Sequence, residues 1–127
     1  MSWKPEGYTS VSPYLIVEQA QQVIDFLKEV FEAEELRRYE TPEGAVMHVE
    51  VKIDDTVVMM GEAPDSSVSA SPHLHVYVRN VNETYQRAIE YGAASVQEPV
   101  MKEGDPDRRG GVQDTAGNTW WISTMQQ

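Results

Sequence analysis

The stretch Ser12-Pro13-Tyr14-Leu15-Ile16-Val17 returns, lightly edited, as Ser71-Pro72-His73-Leu74-His75-Val76. Each copy opens one half of a 127-residue chain, and each is followed by a helical pattern and then by strand patterns. Self-similarity of this kind marks a duplicated module, here in two copies instead of a long array. It constrains the fold more tightly than composition does, because both halves must then use the same order of elements. Two similar sheets from one chain can face a common cleft, which is where a small protein binds something.

Periodicity fills in the modules. Thr9 to Val17 is apolar and β-branched and reads as a strand. Ala20, Val23, Ile24, Leu27 and Phe31 then recur at helical spacing, with Gln21, Gln22, Asp25, Lys28, Glu29 and Glu32 on the other face. Leu36 to Glu40 is a second strand, turning at Thr41-Pro42-Glu43-Gly44. From Ala45 to Ile53 the pattern alternates: Met47, Val49, Val51 and Ile53 share one face, His48, Glu50 and Lys52 the other. Asp54-Asp55 is a hairpin turn into Thr56 to Met60.

The second module repeats the order. His73 to Arg79 is a strand, and Asn80 with Glu83 makes a capping-box-like start to a helix with Val81, Tyr85, Ala88 and Ile89 inward and Gly92 at its C-terminal cap. Ser95 to Glu98 is a short strand, a loop runs from Pro99 to about Gly111, and the last strands lie near Gly111 to Gln113 and Thr119 to Thr124. The expected fold class is therefore α+β: two βαβββ modules forming an open barrel-like cleft, with helices on the outside. One domain is expected, with module one at about 9–62, a Ser- and Pro-containing linker at 63–72 and module two at about 73–125.

Composition excludes several classes of function. Ten basic against 21 acidic residues give a net charge of −11, which opposes binding to nucleic acid. No cysteine is present, so thiolate metal sites and nucleophiles are out of reach. The N-terminal residues lack a basic, then apolar, leader pattern, and no run approaches membrane-spanning length; a cytoplasmic protein without a membrane partner is expected.

Two βαβββ modules, together with Asp114-x-x-Gly117-Asn118-x-Trp120-Trp121-Ile122, resemble the vicinal oxygen chelate superfamily of glyoxalases, bleomycin-resistance proteins and dioxygenases. Val11 to Val17, Met47 to Val51 and Arg108 to Asp114 are similar to its PhnB-like branch. Glu32 departs from that pattern, since many relatives place glycine after the first helix. The resemblance implies homodimers, and metal ligands on corresponding strands of the two modules. Matched residue by residue, those slots fall on Ser12 or Tyr14, on Val58 or Met60, on His73 or His75, and on Trp121 or Ser123. Only one of the four holds a convincing ligand, whereas a divalent cation needs three or more.

The candidate ligand-binding residues are Tyr14, His48, Glu50, Met60, His73, His75, Trp121 and Arg108. Trp121 stands where metal enzymes carry a carboxylate, and its ring could stack on a planar ligand with Tyr14 opposite. Met59 and Met60 add adaptable apolar surface, and Met59 is equally well a core residue. Arg108 and Arg109 could grip an anionic group or pair with Asp105 and Asp107. The expected function is metal-free binding, or sequestration, of a small and planar aromatic molecule by a homodimer, with no cofactor. The alternative is a divalent-metal lyase, dioxygenase or transferase with His48, His73 and His75 as ligands, and no catalytic group can be assigned.

Overall fold

Both halves of the chain fold in the order the repeat predicts. The computed structural model describes residues 3–64 and 72–126, in two units that are taken in turn. Unit 1 contains β1 (Tyr14–Val17), α1 (Ala20–Phe31), β2 (Glu34–Glu40), β3 (Val46–Ile53) and β4 (Thr56–Glu62). Unit 2 contains β5 (His73–Tyr77), α2 (Val81–Tyr91), β6 (Ala94–Met101), β7 (Asp107–Gln113) and β8 (Thr119–Met125). The sheets have the same topology, β1-β4-β3-β2 and β5-β8-β7-β6, with the first pair parallel and the rest antiparallel. They stay separate four-stranded sheets and do not close into a barrel. Most of the expected linker, residues 65–71, lies outside the described residues.

In unit 1 the helical stripe does what its spacing predicts. Ala20, Val23, Ile24, Leu27 and Phe31 are buried, joined by Phe26 and Val30, and α1 packs on β3 and β4. Leu15, Val17, Val49, Val51, Val58 and Met60 supply the buried helix-facing side of the sheet. The start of α1 has no side-chain cap of its own, because Gln19 sits in the left-handed region at φ 58°. The carboxylate of Glu62, at the end of β4, accepts from the Gln19 and Ala20 N–H groups at 2.7 and 2.9 Å instead. That satisfies orphan donors and places a negative charge at the positive end of the helix dipole. At the other end Glu32 takes a left-handed φ of 57°, the conformation for which glycine is the usual residue.

In unit 2, Val81, Thr84 and Ala88 are the buried residues of α2, while Tyr85 and Ile89 are only partly covered. Asn80 Oδ1 caps the Glu83 N–H at 3.2 Å, and Gly92 ends the helix at φ 115°. Trp120, Ile122 and Val112 form the deepest part of this core. The Asp114 to Trp120 motif turns out to be a structural hub. The Asp114 carboxylate accepts from the Ala116 and Asn118 N–H groups, Asn118 Nδ2 and Trp120 Nε1, all at 2.8–3.0 Å.

Several boundaries differ from the sequence reading. The strand β1 starts at Tyr14 and not at Thr9: Pro13 has no N–H to give a ladder, and only its carbonyl is used, by Met59 N–H at 2.9 Å. On the other side β6 runs to Met101, well past Glu98, and carries Pro99; an edge strand tolerates proline, and its register with β7 shifts on both sides of Gln97. With β7 starting at Asp107, the long glycine-rich loop shrinks to residues 102–106. Met47 does not share the buried face of Val49: it is 59% exposed and Val46 is buried, at a register shift between Tyr39 and Glu40.

Candidate functional site

Each sheet has a face turned away from its own helix, and the strand registers decide what stands on it. In unit 1, Tyr14 pairs with Met59, which pairs with Glu50, and Tyr39 pairs with His48. The pleat puts these side chains on one face. They are joined by hydrogen bonds: Tyr14 Oη lies 3.1 Å from His48 Nδ1, and His48 Nε2 lies 2.8 Å from Glu50 Oε2. Tyr8 Oη donates to the other oxygen of Glu50, and the Arg37 guanidinium stands 5.3 Å from the Tyr8 ring centre. Burial pushes the Glu50 carboxyl up, but hydrogen bonds from His48 and Tyr8, and the nearby positive charges, outweigh it and hold the group below the usual carboxylate range. Tyr8 is pushed above the ordinary phenol value, chiefly by its hydrogen bond to Glu50.

Unit 2 builds its face from β5, β7 and β8. His75 pairs with Trp121, which pairs with Gly111; Tyr77 pairs with Ser123, which pairs with Arg109. Trp121 Nε1–H donates to His73 Nδ1 at 3.1 Å, and the two rings lie within 17° of parallel with centres 6.3 Å apart. The hydrogen bond thus ties two nearly parallel rings into one aromatic surface. Its underside rests on Gly111, where an added Cβ would stand 2.7 Å from Trp121 Cζ3. Because Nδ1 of His73 is an acceptor, the neutral ring carries its proton on Nε2.

Beside this surface, Ser123 Oγ is held by Arg109 Nε and His75 Nε2, each at 2.9 Å. The guanidinium also binds Asp105 at 2.9 Å and Asp107 at 3.2 Å, and Tyr77 Oη donates to Asp107 at 2.7 Å. Burial lowers the His75 pKa, with the Arg109 charge acting in the same direction and Asp107 opposing. The Tyr77 phenol is raised by its hydrogen bond to Asp107, and Asp105 is lowered by the Asp107 N–H and Arg109.

The structure thus brings Tyr14, His48 and Glu50 together on unit 1, and His73, His75 and Trp121 together on unit 2. Two expected residues fall elsewhere. Met60 is fully buried on the helix side of β4, as is Val58, and the residues flanking Met60 on the other face are Met59 and Gly61. The one-residue error has a simple cause, because a strand's faces alternate and a one-step slip exchanges them. Arg108 likewise points to the α2 side: its Nε donates to Asn82 at 3.0 Å, and it lines a hollow of about 380 Å³ with Arg79, Asn82, Thr124 and Gln126. Its neighbour Arg109 is the arginine on the Trp121 face, paired with both aspartates. Sequence reading passed over Tyr8 and Tyr77; no local pattern marks either, since each reaches its carboxylate across at least 30 positions of chain.

A model of the glyoxalase/bleomycin resistance protein/dioxygenase superfamily matches residues 8–122. The chain belongs to that superfamily. It is 30% identical over 122 residues to uncharacterized proteins of Mycobacterium bovis and Mycobacterium tuberculosis, covering 87% of this chain and 80% or 71% of theirs. Its fold is similar to that of TioX from Micromonospora sp. ML1, with a TM-score of 0.78 at 21% identity over 92% of this chain and 98% of that one. It is also similar to the fosfomycin resistance protein FosX of Listeria monocytogenes complexed with Mn(II) and sulfate: TM-score 0.73, 15% identity, 93% and 90% covered.

Members of this superfamily often bind a divalent metal, and the donors present here do not fit one. On β1 and β4 the available side chains are a phenol, a thioether and a glycine; on β8 they are an indole and a hydroxyl. His73 and His75 each already spend one ring nitrogen on Trp121 and Ser123, and both nitrogens of His48 are engaged. Among the described residues no three histidine or carboxylate side chains are grouped to hold a metal ion. No helix among them is long and apolar enough to cross a membrane.

Proposed function

We propose that this superfamily member is a single-domain binding protein for a small, planar aromatic molecule, held without a coordinated metal. The observation that supports this best is the flat surface made by Trp121 and His73 on unit 2. One side of the indole is seated on Gly111, which leaves the other for a ligand, and His73 Nε2–H is placed to donate to an acceptor at the ligand's edge. The superfamily's name includes bleomycin resistance proteins and one structural neighbour is a fosfomycin resistance protein, so sequestration of a drug-like compound is the use this reading assigns. The resemblance of the stretches at 11–17, 47–51 and 108–114 to the PhnB-like branch belongs to the same reading.

Homodimer formation belongs to the proposal. Ile16, Tyr39 and Met47 on unit 1 and Val96, Val100 and Met101 on unit 2 are exposed apolar side chains, and each sheet ends in two edge strands. Such surfaces favour association.

The test is a thermal-shift screen of planar aromatic compounds with and without chelator, on protein made without a histidine tag and assayed for metal. Hits should persist with chelator, and Trp121→Ala should lose about 1–3 kcal/mol of binding. Hits that vanish with chelator, together with one metal per chain, would replace this reading by the metal-dependent enzyme.

A further inference from the structure

The hydrogen-bonded set on unit 1 is independent of the Trp121 surface, and its order is that of a proton relay. Glu50 is only 4% exposed, and as a carboxylate it can only accept. In the neutral ring, its contact at 2.8 Å therefore places the His48 proton on Nε2 and leaves the Nδ1 lone pair facing Tyr14 Oη at 3.1 Å. Tyr8 fills the second oxygen of Glu50, which keeps that carboxylate in place. Tyr14, at the outer end, is 50% exposed, and its hydroxyl is seated over Gly61, where an added Cβ would lie 3.2 Å away. A buried carboxylate, an oriented imidazole and the hydroxyl of a half-exposed tyrosine at hydrogen-bond spacing form the general arrangement that activates a nucleophile.

We propose that Tyr14 is a reactive tyrosine, with His48 as its base and Glu50 as the residue that positions and charge-balances the imidazole, acting on an electrophilic acyl or sulfonyl centre. In the step, the Tyr14 oxygen bonds to the electrophilic atom, the bond to the leaving group breaks, and the phenol proton passes to His48 Nδ1. The imidazolium so formed is stabilised by Glu50. The contrast with Tyr77 sharpens the argument. That residue is 63% exposed and also hydrogen-bonded, but its partner is the Asp107 carboxylate, so losing its proton would set two negative charges side by side. Exposure alone therefore predicts faster reaction at Tyr77, and the relay predicts faster reaction at Tyr14.

Benzenesulfonyl fluoride decides between them in the full chain. It forms an aryl sulfonate at the tyrosine oxygen and releases fluoride, and peptide mass spectrometry gives the rate at each tyrosine. Tyr14 should be labelled roughly tenfold faster than Tyr77 or Tyr39 in the same sample. His48→Ala should bring Tyr14 down to their rate, and added imidazole should restore it, which a merely structural histidine would not allow. Glu50→Gln should slow Tyr14 selectively, with Glu50→Asp retaining part of the rate. Equal rates at Tyr14, Tyr39 and Tyr77 in the unmodified protein overturn the proposal whatever the variants do, and so does a folded His48→Ala protein with an undiminished Tyr14 rate.

Discussion

Glu32 is where a single residue most plainly departs from what its backbone asks for. A non-glycine side chain at φ 57° crowds its own carbonyl, and glycine relieves the crowding. Glu32→Gly should stabilise the fold by about 0.5–1 kcal/mol, read as a rise in thermal midpoint. His75 carries the opposite kind of cost. Burial and Arg109 lower its pKa, so the unfolded chain takes up this proton at a higher pH than the folded one. Stability should therefore be full above about pH 6.5 and fall as the pH drops below it, until the folded imidazole itself protonates. His75→Gln should flatten that slope in urea titrations across the window. The periodic pattern made both residues visible, but not their conformation or pairing. A cap's φ depends on where the helix stops, and the burial of His75 depends on Ser123, 48 positions away.

Among the elements, the strand glycines Gly61 and Gly111 separate side-chain crowding from backbone crowding. An added Cβ at Gly111 meets the Trp121 ring, which can move at the expense of the flat surface; at Gly61 it meets the Met47 carbonyl at 2.8 Å, which cannot move without the strand. Gly61→Ala should thus cost more stability than Gly111→Ala, roughly 3 against 1 kcal/mol, while Gly111→Ala should change Trp121 fluorescence more. The reverse ordering in denaturant melts would contradict this geometry. The start of α1 offers a second test. Glu62→Ala removes both the acceptor and the charge from the helix N-terminus and should cost about 1 kcal/mol. Local sequence gave no sign of this cap, because the capping residue sits on β4 and not at the helix start, where Gln19 stands.

For the whole molecule the dominant physical fact is the charge of −11. Surface pairs such as Lys28 with Glu35 and Arg38 with Glu40 contribute at most about 1 kcal/mol each, and salt weakens them. Repulsion among 21 acidic groups is spread over the whole surface and is screened as well. The repulsion should win, so the thermal midpoint should rise as salt is raised to about 0.15 M, and a fall would assign the larger share to the ion pairs. Legible in the order of residues were the duplication, the βαβββ order of each half, the inward stripe of α1 and the placing of Trp120 and Trp121 on opposite faces. The duplication is read from the repeated segment, and the rest follow from periods of 2 and 3.6 residues, which survive without knowledge of any partner. Tertiary structure alone decided which of Met59 and Met60 faces the helix, and which of Arg108 and Arg109 stands beside Trp121. It alone brought Tyr8, Tyr14, His48 and Glu50 into one network. A face assignment turns on a one-residue register, and a network spanning 42 positions of chain turns on strand pairing; neither leaves a local trace in the order of the amino acids.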